Sequence, residues 1–186
     1  MLKSIIISGP PAIGKTTIAK GLAKEFSLMH LSGGDILKEL AEEEGFETKG
    51  DDWWDTQEGI DFLSKRQENS EFDKQVDDKL KKLFSKGSVV ITSYTLPWLV
   101  EGGVKIWLDG SKENSAQRMT TRDNLSKNDT LEIVQKRYNK NKVIYKALYG
   151  FEFGEDLSVF DKIIETDNLN AEQVLELAKS TVRKYF

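Results

Sequence analysis

The run Gly9-Pro10-Pro11-Ala12-Ile13-Gly14-Lys15-Thr16 places a glycine, four spacer residues, a second glycine, a lysine and a hydroxyl residue in sequence. The spacing has a chemical reason. Glycines let the backbone turn tightly, so that successive N–H groups converge on one anion. A helix starting near Lys15 adds the positive end of its dipole. Lys15 then reaches the β- and γ-oxygens of a polyphosphate, and the Thr16 hydroxyl ligates Mg2+. Gly9 to Thr17 is therefore the expected donor-binding segment, and the pattern implies ATP or GTP. Phosphoryl transfer also needs cations around the migrating group, because charge spreads over its equatorial oxygens. Arg118 and Arg122 lie one helical turn apart on one face, and Arg137 sits in the next helical segment. Only Arg66 and Arg183 lie outside that stretch, so the concentration is real.

These residues need a scaffold. At 186 residues the chain fits one domain with a full core and small insertions. Apolar residues make up 38% and charged residues 31%, with a net charge of −4. That balance describes a globular chain with a well-solvated surface and argues against a nucleic-acid partner, which would need a positive stripe. The absence of cysteine excludes disulfides and thiolate metal sites and suits a reducing interior. MLKSIII runs into a strand without a signal-like region, and no window reaches a membrane-spanning length. The expectation is a cytoplasmic protein with no membrane partner, a monomer or weak dimer.

Short β-branched runs alternate with helical periods. The strands expected are Ser4–Ser8, Ser88–Thr92, Val104–Leu108 and Lys162–Thr166, with a weaker one at Leu28–Leu31. Continuous apolar runs such as III and VVI suit strands covered on both faces. Helical period covers Lys15–Phe26, Asp35–Glu44, a segment capped by Ser70 and ended by Gly87, Lys112–Asn124, Thr130–Tyr149 and a last helix capped by Asn170. The alternation predicts an α/β fold with a five-stranded, mostly parallel sheet flanked by helices.

ISGPPAIGKTTIAKGLAKEFSL, LSGGDILKELA, the FDKQVD helix before VVI, KIWL followed by QRMTTRD, and YKALYGFEFGEDLSVFDKIIET together resemble the nucleoside monophosphate kinases. Within them the likeness is to the archaeal cytidylate kinase type, over nearly the whole length. The resemblance implies a P-loop kinase domain with an acceptor-binding insertion near 45–69 and a lid hairpin near 118–145. It implies Mg2+-assisted transfer from ATP to a nucleoside monophosphate, with CMP as the acceptor. Lys15, Arg118, Arg122 and Arg137 would be catalytic. Asp35 would touch substrate and hold Mg2+ through water, with Asp109 as the weaker candidate.

The chain departs from this family at its acceptor end. Lys38 stands where arginine is usual, which keeps the charge but loses the bidentate fork. Thr92-Ser93-Tyr94 replaces an acid, a glycine and an arginine, and Ile144 replaces a lid arginine. Asp77 persists without the arginines expected after it. Thr92, Ser93 and Tyr94 are expected to form a neutral hydrogen-bonding floor for the acceptor, with Lys38 supplying its charge. Two other readings stay open: a P-loop kinase with another small-molecule acceptor, and a nucleotide sensor without turnover.

The remaining features have plainer readings. In Asp51-Asp52-Trp53-Trp54-Asp55 the tryptophans could stack on a base, but anchoring the insertion is favoured. Asp61 and Arg66 are ambiguous. Trp107 reads as core, and Trp98 lines the cleft or caps the sheet. His30 has no second histidine or cysteine beside it, so a structural role is expected. Lys79, Lys81, Lys82 and Lys86 read as a solvated face.

Overall fold

Ile5, Ile6 and Ile7 are completely buried in the first strand, β1 (Ser4–Ser8). Three consecutive β-branched side chains suit a pleated backbone, and a strand covered on both faces lets all of them leave water. Each such burial contributes roughly 1.5–3 kcal/mol. The computed structural model describes residues 3–48, 53, 58, 59, 61, 62, 71–123 and 126–186, and for 122 and 123 the backbone alone.

After β1 come α1 (Lys15–Phe26), β2 (Met29–Ser32), α2 (Gly33–Glu43), α3 (Glu71–Lys86), β3 (Val89–Thr92), α4 (Leu96–Leu99), β4 (Val104–Asp109), α5 (Lys112–Asp123), α6 (Lys127–Tyr149), β5 (Lys162–Glu165) and α7 (Ala171–Val182). The strands form one parallel sheet in the order β2-β3-β1-β4-β5. Side-chain alternation sorts the isoleucines. Ile5 and Ile7 pack with Ile18 and Leu22 of α1 and Val174 and Ala178 of α7, whereas Ile6 faces Leu40 of α2 and Leu80 of α3. Trp107, Tyr145 and Phe153 form a third, aromatic core beside β4.

Helix α1 spans the expected residues. Helix α2 begins two residues early because Ser32 caps it, with the Asp35 N–H bonding the Ser32 hydroxyl and the Asp35 carboxylate accepting the Ser32 N–H. Helix α6 begins three residues early because the Ser126 hydroxyl accepts the Asp129 N–H. Asn170 and Gln173 form the expected reciprocal cap on α7. Ser70 lies outside the described residues. The four-residue α4 was not anticipated, since it is too short for apolar periodicity. The Ser93 hydroxyl accepts the N–H groups of Thr95 and Leu96 at its start, and Lys105 Nζ donates to the Pro97 and Val100 carbonyls at its end, 2.8 and 2.6 Å away.

Trp53 and Phe62 anchor their part of the chain: both are buried, and Phe62 packs edge-on against Phe46 and Phe72. This is the anchoring role favoured for one tryptophan. Asp51, Asp52, Trp54, Asp55 and Arg66, with most of 45–69, lie outside the described residues. Trp107 is core as expected. Trp98 stacks on Phe151, centroids 4.5 Å apart, and its indole N–H donates to the Asp156 carbonyl. Lys79 pairs with Glu39 and Lys81 with Asp78, both at the surface.

Asp77 of α3 is buried, its two carboxylate oxygens taken by the hydroxyls of Thr95 and Tyr149. Burial pushes its carboxyl up from the ordinary 3.8, against the pull of those two hydroxyls. The folded chain therefore binds more protons than the unfolded one above that value, so this group's contribution to stability falls as pH rises towards its folded pKa. Asp77→Asn should remove that slope from urea unfolding measured between about pH 4 and 8. Asp77→Ala should cost about 2 kcal/mol at neutral pH by stranding two hydroxyls.

Candidate functional site

The turn between β1 and α1 depends on two glycines with positive φ. Gly9 has φ 146°, and a Cβ there would sit 2.4 Å from the Leu108 carbonyl oxygen of neighbouring β4; Gly14 has φ 101° and caps α1. Ala12 is also left-handed, at φ 59°. No side chain caps α1 and its first turn holds no acid, so its leading N–H groups face an incoming anion. Thr16 and Thr17 are exposed on that turn, while Ile13 is buried and pins the loop to the core.

Lys15 folds back over this turn. Its Nζ donates to the carbonyls of Gly9, at 2.9 Å, and Pro10, at 2.6 Å, and lies 4.5 Å from the centroid of the Tyr94 ring. Burial holds the ammonium below the ordinary lysine value. Tyr94 acts in the opposite sense, and the nearby charge of Arg137 adds to the lowering.

Arg118 donates to the carbonyls of Ile13, in the loop, and Thr166, after β5, the latter at 3.4 Å. Its guanidinium lines a 360 Å³ cleft beside Gly14, Thr17, Asn114, Thr166 and Leu169. Asp167 closes one side. Its carboxylate accepts the Ser111 N–H and the Asn114 amide, and those bonds hold it below the ordinary carboxylate range. The cleft adjoins the phosphate loop, so it can take the remainder of a donor molecule. Sequence reading missed Asn114, Thr166, Asp167 and Leu169; the only signal was their place just beyond the C-terminal ends of β4 and β5, where open α/β sheets bind ligands.

The structure thus brings Lys15 and Arg118 to the loop from two separate helices, and the charge of Arg137 on a third, α6, acts on Lys15. The Arg122 side chain lies outside what is described. On the acceptor side, Lys38 sits half-buried on α2, one turn after Asp35. The exposed Asp35 carboxylate is engaged in the α2 cap. Thr92 is buried at the end of β3, the buried Ser93 hydroxyl accepts N–H groups at the start of α4, and the Tyr94 ring faces Lys15 at the loop. Asp109 lies beside Glu165, whose carboxyl is raised by burial and by that neighbour, and borders a 140 Å³ cavity with Pro10, Ser115 and Tyr138. Among the described residues no three His, Cys, Asp or Glu side chains cluster as an all-protein metal site.

A sequence model of the cytidylate kinase-like family matches residues 4–168. The chain is 34% identical to a cytidylate kinase of Sulfurisphaera tokodaii, covering 95% of this chain and 93% of that one. It is 31% identical to a cytidylate kinase of Methanocaldococcus jannaschii over 96% of both. Among solved structures, an uncharacterized protein from Eubacterium ventriosum aligns with a TM-score of 0.66 at 15% identity, covering 99% of each chain. A shikimate kinase from Bacteroides thetaiotaomicron aligns at 0.58 and 16% identity, covering 100% of this chain and 96% of that one. These structural likenesses establish the P-loop kinase fold.

Gly9→Ala should destabilise the fold by about 1–3 kcal/mol through its forced approach to the Leu108 carbonyl, and should abolish the heat of Mg–ATP binding in calorimetry. Gly102→Ala, also at positive φ but facing open space, should leave that heat in place.

Proposed function

The chain belongs to the cytidylate kinase-like family, and from that premise we propose that it transfers the γ-phosphoryl group of ATP to CMP, giving ADP and CDP. The observation that carries this reading is the Gly9–Thr16 turn at the C-terminal edge of a parallel sheet, in a chain akin over 95% of its length to a cytidylate kinase.

The loop amides and the N-terminus of α1 cradle the β-phosphate of the donor. Lys15 leaves the Gly9 and Pro10 carbonyls for the β/γ oxygens, an exchange of neutral for charged acceptors that strengthens its hydrogen bonds. Arg118 packs against the donor in the cleft, and Arg137, with Arg122 one turn beyond Arg118, balances charge on the migrating phosphoryl group. The acceptor phosphate is ionised near neutral pH and needs no general base.

Mg2+ suits these residues. Thr16 is exposed on the first turn of α1, and a metal held largely by substrate phosphates and water needs no cage of carboxylates. When bound, it would supply positive charge against the charge that develops on the transferred group. Thr16 would hold it directly and Asp35 through water. Lys38 gives the acceptor its positive contact, the region near 45–69 encloses the acceptor, and the hairpin near 118–145 closes over both substrates and excludes water. Among the described residues no helix is long and apolar enough to cross a membrane.

A coupled assay of ADP release with CMP, UMP, dCMP, AMP and GMP tests the assignment. Stimulation should be greatest with CMP, and none with any of them would defeat the acceptor assignment; tight ATP binding without turnover would mark a sensor. Lys15→Ala should lower kcat by about 100- to 1,000-fold. Lys38→Ala should raise the KM for CMP by roughly tenfold or more, leaving that for ATP near its starting value.

A further inference from the structure

We propose that Tyr94 is a positioning residue for Lys15: its ring holds the ammonium over the phosphate loop and couples that ammonium to the base of α6. The proposal rests on the kinase reading of the site but assigns Tyr94 to the donor lysine rather than to the acceptor.

An ammonium has three N–H donors. On Lys15, carbonyls of the loop itself take two, at 2.9 and 2.6 Å from Gly9 and Pro10. The remaining side meets the Tyr94 ring, 4.5 Å from its centroid, within cation–π range. The ring is firmly placed. Phe153 packs edge-on against it, 5.7 Å away at 85°, and Tyr145 lies 6.4 Å away, tilted by 31°. Both supporting rings are buried. Tyr145 stands on α6, and Phe153 follows the end of that helix, so the base of the proposed lid sets the plate on which the ammonium rests.

The charges around Lys15 explain why a ring suits this place. The charge of Arg137 on α6 acts on it, and Tyr94 faces it from the segment between β3 and α4, while the loop contributes carbonyls. An aromatic face attracts the cation without the full negative charge of a carboxylate, which would compete with the incoming polyphosphate. It also removes rotamer freedom from a long side chain before the donor binds.

The test compares Tyr94→Leu and Tyr94→Phe with the native chain, each checked by thermal unfolding. With no acceptor present, Tyr94→Leu should weaken Mg–ATP binding in calorimetry by about tenfold. Tyr94→Phe keeps the ring face and should recover binding to within about threefold of native. With CMP, Tyr94→Leu should lower kcat while the KM for CMP stays near its native value. If Tyr94→Leu melts below the assay temperature, Tyr94→Met is read in its place. An unchanged ATP affinity would overturn the proposal, as would an effect confined to the KM for CMP. Because the binding arm needs no acceptor, failure of the CMP assignment would leave it readable.

Discussion

The chain reverses at Gly9 in a space that holds no side chain. There the backbone leaves β1 and runs against the Leu108 carbonyl of β4, so tightly that a single added carbon would collide with it. The close approach keeps the loop low over the sheet edge and aims its amides at one point above α1. The central place of β1 makes this useful. With β3 on one side and β4 on the other, in register Ile7 to Thr92 and Ser8 to Trp107, whatever follows those strands also borders the loop. Tyr94 follows β3, and Gly110 and Ser111 follow β4.

Gathering Lys15 and Arg118 at one turn, within the electrostatic influence of Arg137, sets a problem, because these like charges need compensation before an anion arrives. The structure meets it with main-chain oxygens: Gly9 and Pro10 for Lys15, Ile13 and Thr166 for Arg118. Carbonyl dipoles stabilise the cations without binding them as tightly as carboxylates would. The carboxylate nearest the cleft, Asp167, is itself held by Ser111 and Asn114 and serves as a wall. The site remains a trap for negative charge, as phosphoryl transfer requires.

Behind the site, polar and aromatic contacts tie together elements far apart in the chain. Asp77 on α3 joins Thr95, just before α4, to Tyr149, the last residue of α6. The aromatic group of Trp98, Trp107, Phe151, Phe153 and Phe160 fixes the segment that follows α6. The base of α6 is therefore rigidly tied to the core. Its far end, next to α5, has no comparable aromatic support among the described residues.

Much of this was legible in the sequence because it is local. The Gly9–Thr16 spacing announces a phosphate loop, SIIIS and SVVIT announce buried parallel strands, and Asn170 with Gln173 announces a helix start, since each pattern works through neighbours a few residues apart. The kinship with nucleoside monophosphate kinases was readable for the same reason, through short runs of residues. The tertiary surroundings of Thr92, Ser93 and Tyr94 were not. Their types suggest three similar hydroxyls in a row, yet tertiary packing buries the first, spends the second on α4 and lays the ring of the third under Lys15. Asn114, Thr166 and Asp167 carry no signature either and meet only because β4 and β5 end side by side. Sequence fixes what a residue does with its chain neighbours; which distant groups satisfy its remaining hydrogen bonds and charge is decided only when sheet order and helix packing bring them within a few ångströms.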